Sequence, residues 1–137
     1  MLEKLRQMRQ RIVEQTRVRL AQQQQLCQRC NNNIASLKAL SDSSDGIASD
    51  AVQLHNQARF KATLRRVIDW QEQERALAAI EQVRIQRELA EHARREMALR
   101  VVMEQQKQAL RMALERDQQK QTDAQGIQSW MRNKKSE

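Results

Sequence analysis

The chain has 137 residues, no proline and only two glycines, Gly46 and Gly126. Proline breaks helix interiors and glycine weakens them, so a chain almost free of both can stay helical over long stretches. The one clear break is Ser41-Asp42-Ser43-Ser44-Asp45-Gly46. On either side of it the sequence is rich in Gln, Arg, Glu, Leu and Ala, which are good helix formers. The pattern predicts an all-α chain in which two long helices form an antiparallel coiled-coil hairpin within a single domain, 1–137. Helix one is expected at about 2–40, the turn at about 41–49 and the longer helix two at about 50–122. Gly126 is expected to end or fray helix two, leaving a mobile tail at about 123–137.

Side-chain volume supports the same picture. Apolar residues are 39% of the chain, but the aromatic ones are only Phe60, Trp70 and Trp130. Such a supply suits a narrow seam between two helices better than a thick core. No stretch approaches the ~20 apolar residues of a membrane span. No signal-peptide pattern opens the chain, and the expected location is the cytoplasm.

In helix one, Val13, Leu20, Cys27 and Ile34 recur every seven residues. Thr16, Gln23, Cys30 and Leu37 fill the matching second seam position, which makes a heptad seam diluted by polar groups. Leu5, Met8 and Ile12 continue the stripe toward the N-terminus with a slight phase shift. In helix two, Asp50 and Gln53 have the spacing of a capping box. Its apolar positions run from Leu54 to Leu114 with spacings that drift between three and four, so no single heptad register is expected.

The expected lengths are unequal. At about 1.5 Å per residue, helix one spans ~60 Å and helix two ~105 Å. Folded back, helix one would cover helix two only to about residue 90. The overhang from Leu89 to Leu114 keeps an apolar stripe at Leu99, Met103, Leu110 and Leu114. An unburied stripe of this kind needs a partner.

Net charge is +8. Residues 1–40 hold eight Lys and Arg against Glu3 and Glu14, and the turn carries Asp42, Asp45 and Asp50. A basic balance permits acidic proteins or nucleic acid as partners. No zinc-finger spacing, aromatic stacking platform or basic leucine-zipper region is present, which argues against a nucleic-acid partner.

Nothing in the chain predicts chemistry. Cys27-Gln28-Arg29-Cys30 has CxxC spacing, but it falls mid-helix on the seam rather than at a helix N-terminus, where a thiol would be activated. A zinc site would need further ligands, and His55 and His92 lie far apart along helix two. Glu72, Glu74, Glu88 and Glu91 sit among arginines at ion-pair spacing. No catalytic residue, metal ligand, cofactor or small-molecule substrate is expected, and the chain is not expected to be an enzyme.

The shorter basic first helix, the turn Gly46-Ile47-Ala48-Ser49 and the spacing Phe60-x-x-x-Leu64-x-x-Val67 together resemble the FliJ family of flagellar export proteins. The Gln/Arg/Glu-rich second helix and basic C-terminus agree, and YscO-like proteins of type III secretion are relatives. The turn favours the flagellar branch. The chain lacks the tyrosines common late in that family's first helix, and carries Cys27, Cys30 and Ile34 there.

The resemblance implies a non-enzymatic stalk between the hexameric export ATPase FliI and the membrane export gate protein FlhA, and an escort for export chaperones. It implies a cytoplasmic protein peripherally associated with the inner face of the cell membrane. By position, the gate-facing patch would comprise Gln23, Cys27, Cys30 and Ile34 with Phe60, Leu64, Val67 and Gln71. The ring-entering end would comprise Leu5 and Met8 with Leu99, Met103, Leu110 and Leu114. The alternative class is a self-associating cytoplasmic coiled-coil scaffold, or a basic coiled coil associated with nucleic acid.

Overall fold

A computed structural model describes residues 1–46 and 49–136. Two helices are present, α1 (Leu2–Ser43) and α2 (Ala51–Lys135), with no strand among the described residues. They pack against each other as an antiparallel hairpin with the second helix longer, as the sequence predicts. At about 1.5 Å per residue, α1 spans ~63 Å and α2 ~128 Å.

The turn is built from local bonds. The Ser43 hydroxyl donates to the Leu40 carbonyl at 3.0 Å and the Ser44 hydroxyl to the Ser41 carbonyl at 2.8 Å. The Asp45 amide donates to the Asp42 carbonyl at 3.3 Å. Gly46 then adopts φ +87, a left-handed conformation that only glycine reaches without a Cβ penalty. Ile47 and Ala48, half of the quoted turn motif, lie outside the described residues.

At the start of α2 the Gln53 amide donates to the Asp50 carboxylate at 2.7 Å. The reciprocal half of the cap reaches one residue further upstream than the usual box. The Gln53 side-chain oxygen accepts from the Ser49 amide at 2.9 Å and from its hydroxyl at 2.8 Å.

The core is a line of contact. Val13, Thr16, Cys30 and Ile34 of α1 and Leu64, Ala78, Ile85 and Glu96 of α2 are buried. The Thr16 hydroxyl bonds back to the Ile12 carbonyl at 2.7 Å, so its burial leaves no orphan donor. Inward positions of α1 alternate by four and three from Leu2 to Ser44.

In α2 they do the same from Gln57 through Leu64, Ala78, Ile85 and Glu96 to Met103, with only Arg75 of that series exposed. A regular heptad register therefore replaces the drifting one expected for helix two. Gln57, Lys61, Gln71, Gln82, His92 and Glu96 occupy seam positions, so reading apolar residues alone misses them. Leu77, Ile80, Val83, Met97 and Val101, which belong to the drifting run of apolar positions, are exposed.

Two boundaries differ from expectation. First, α2 does not stop near 122; it runs through Gly126 to Lys135. One glycine costs a helix only about 1 kcal/mol, and Thr122, Gln119 and Asp123 bond within the same helix. Second, α1 covers α2 well beyond residue 90. Ala51–Asn56 are exposed, and the first inward residue of α2 is Gln57, whose side chain donates to the Ser44 carbonyl. That offset slides the whole of α1 toward the C-terminus of α2. Leu2 reaches the level of Met103 and Leu110, where both line one shallow groove. Residues 104–136 are all exposed, and the overhang begins there rather than at Leu89.

Candidate functional site

The contacts across the hairpin fix its register. Moving away from the turn, Lys61 pairs with Asp45 and Lys38 with Glu72 at 3.4 Å. The Gln23 amide donates to the Ala78 carbonyl at 2.9 Å, and Arg19 meets Glu88 at 3.1 Å. Each exposed pair adds at most about 1 kcal/mol, but together they flank the seam and select one alignment. Gln23 reaches backbone because its opposite number, Ala78, is small.

This register sorts the turn-proximal residues. Ile34 is 4% exposed and Leu64 6%, and Cys30 is also buried. Gln23, Cys27 and Gln71 are half-buried in the same seam. Phe60 is 44% exposed and Val67 37%, both facing outward. Only these two of the eight present substantial apolar surface; the other six hold the helices together. Leu40, Val52 and Leu54 add exposed apolar groups at this end. Leu54, the first apolar position of the run in helix two, is exposed because α1 ends at Ser43 and α2 is not engaged before Gln57.

Both cysteines are free thiols, Cys27 half-buried and Cys30 buried. Among the described residues no group of three His, Cys, Asp or Glu side chains could hold a metal ion. No described helix is long and apolar enough to cross a membrane.

At the end bearing the termini, Leu5 and Met8 are exposed and Leu99 and Met103 are half-buried in the seam. Leu110, 64% exposed, and Leu114 stand free on the overhang. The seam face continues beyond α1: Leu110, Ala113, Ala124, Ile127 and Met131 keep the heptad phase of Met103. Ile127, Trp130 and Met131 form an exposed cluster, with the Lys134 ammonium 4.8 Å from the Trp130 ring centre. The sequence reading stops the helix before this cluster. Extending the seven-residue count past Gly126 is the signal that finds it.

Charge follows the same division. Residues 104–136 carry seven Lys and Arg against four Asp and Glu. At the other side of the hairpin, Glu81 and Glu88 both bind Arg84, at 2.5 and 3.0 Å. The Arg84 hydrogen bond holds the Glu81 carboxyl below the usual carboxylate range, and Glu81 in turn raises Arg84. At the termini end, Glu96 is buried in the seam and bonded to Arg100 at 2.8 Å.

The chain has no significant match among curated proteins or solved structures. A family model described as the flagellar FliJ protein matches residues 1–135 of the 137. An unequal two-helix hairpin with sorted seam, flank and overhang is therefore the form taken here by a chain that belongs to the FliJ family, a family of flagellar export.

Proposed function

We propose that this protein is a non-enzymatic stalk of flagellar type III export. It connects a FliI-like hexameric ATPase to a FlhA-like membrane gate and escorts export chaperones. It works in the cytoplasm, at the inner face of the membrane. The observation that carries the reading is the overhang: residues 104–135 are helical and exposed, about 48 Å of single helix. Leu110 and Leu114 lie on it, and Leu5 and Met8 stand exposed on α1 at the same end of the hairpin. A ring closing around this end would bury those groups. Binding only the assembled ring would stabilise it by mass action and raise its ATPase rate. A basic stalk fits an acidic lining. At the opposite end Phe60 and Val67 are the gate contacts, and Cys30, Ile34 and Leu64 act from behind by fixing the seam.

The test is the ATPase rate of the cognate export ATPase with and without this protein, with light scattering of each alone. Stimulation by a monomer, lost in Leu110→Asp, is expected. No stimulation, together with a stable homodimer that Leu110→Asp dissociates, would overturn the stalk and leave a self-associating scaffold.

A further inference from the structure

The face of α2 turned away from α1 carries a second apolar stripe. Leu77, Ile80, Val83, Ala90, Met97 and Val101 are exposed along it, with Arg87 and Arg94 interleaved. Successive members, arginines included, are three or four residues apart, so they line one side of the helix. Ala79, Ile80, Val83, Arg84 and Arg87 border a shallow concavity within it. A helix of a two-helix hairpin needs one apolar side only. The second side has no packing role in the chain by itself.

Its charges indicate what covers it. Arg84 is tied to Glu81 and Glu88, Arg95 to Glu91 and Arg100 to Glu96. Arg87 and Arg94, within the stripe, form no ion pair among the described residues. The surface thus offers a row of apolar groups with two uncompensated cations. Two copies placed stripe to stripe would set these cations against each other. A helix lying on lipid keeps its cations on the polar face beside the apolar arc, whereas here Arg87 and Arg94 lie within the stripe itself.

We infer that this outer face of α2 docks an amphipathic helix of a partner protein, apolar on one side and flanked by Asp or Glu that meet Arg87 and Arg94. From Leu77 to Val101 the stripe is about 36 Å long, which takes a helix of about 24 residues. The inference is independent of the stalk reading, because it involves neither the overhang nor the turn-proximal end.

The probe is a labelled synthetic helix of that length, with Leu at alternating three- and four-residue spacing and Glu alongside. A control peptide carries Lys in place of Glu. Both are titrated onto the full chain by fluorescence anisotropy. Saturable binding of the acidic peptide is expected, weakened at least tenfold by Ile80→Gln and unchanged by Leu110→Asp. The double variant Arg87→Glu/Arg94→Glu should lose the acidic peptide and gain the Lys one. All four replaced side chains are exposed, so the hairpin should survive, and thermal unfolding checks this. The inference is overturned by no saturable binding, by binding indifferent to Ile80→Gln, or by binding lost in Leu110→Asp. Self-association, or binding to anionic vesicles, that Ile80→Gln abolishes would overturn it in favour of a second copy or a membrane.

Discussion

Backbone preference alone separates the two glycines. Open space surrounds the position of an added Cβ at both Gly46 and Gly126, so sterics with neighbours cancel from the comparison. Gly46 sits at φ +87, where an L side chain strains the backbone; Gly46→Ala should cost about 1 kcal/mol. Gly126 is helical, and Gly126→Ala should stabilise the end of α2 by about 0.5–1 kcal/mol. Urea unfolding reads the first and helical content by circular dichroism the second; equal signs would contradict the assigned conformations. Titration gives another check at this scale. The folded Glu81 carboxyl lies below its ordinary value of 4.5, because Arg84 binds its charged form. Such a group contributes stability above the unfolded value and loses it as pH falls through the folded one. Helix content should therefore fall in acid, and Glu81→Gln should flatten part of that dependence in a circular dichroism titration.

Along a single element, what decides the register is a mixture of polar and apolar groups. Glu96 occupies a buried seam position of α2 and is held by Arg100 one turn on. A carboxylate kept from water gives up hydration that one ion pair replaces only in part. Glu96→Leu should therefore leave stability unchanged or raise it, by up to about 1 kcal/mol in urea unfolding, since the seam there also contains Val13. A loss of more than that would mean the carboxylate makes a contact that sets the alignment. The same mixture explains how much could be read from the sequence. The absence of proline, the break at Ser41–Gly46 and the cap at Asp50 are local signals, and the two helices were legible from them. The seven-residue recurrence of α1 was legible as well. The register of α2 was not, because seam positions hold Gln57, Lys61, Gln71 and His92 while Leu77, Ile80 and Val83 face away. Apolar groups on two opposite sides of one helix give spacings that wander. Only the partner helix tells the two sides apart, and that is a tertiary fact. The resemblance joins Cys30, Ile34 and Leu64 with Phe60 and Val67 as one surface, although the hairpin buries the first three.

At the scale of the whole molecule, α1 divides α2 into a supported part and a free part. Among the described residues every cross-helix bond lies between Gln57 with Ser44 and Arg19 with Glu88, and the seam ends near Met103. Among the described residues, 108–136 add no ion pair to α1, so stability and function should separate when residues 108–137 are removed. Exposed residues without cross-helix partners each contribute within about 0.5 kcal/mol, and Leu110, which borders a shallow groove with Leu2, is the removed residue nearest α1. A chain ending at Lys107 should therefore unfold in urea within about 1 kcal/mol of the full protein, and it should fail to stimulate the export ATPase. Its converse partner is Ile34→Ala, which cuts the seam and leaves the overhang intact. That change should cost about 2 kcal/mol or more, with ATPase stimulation retained at temperatures where the hairpin is still folded. If the truncated chain instead lost most of its stability, and the loss in the full protein depended on concentration, the overhang would be buried against a second copy. The free helix would then be half of a dimer interface, and the asymmetry between α1 and α2 would serve assembly of the protein with itself rather than entry into a ring.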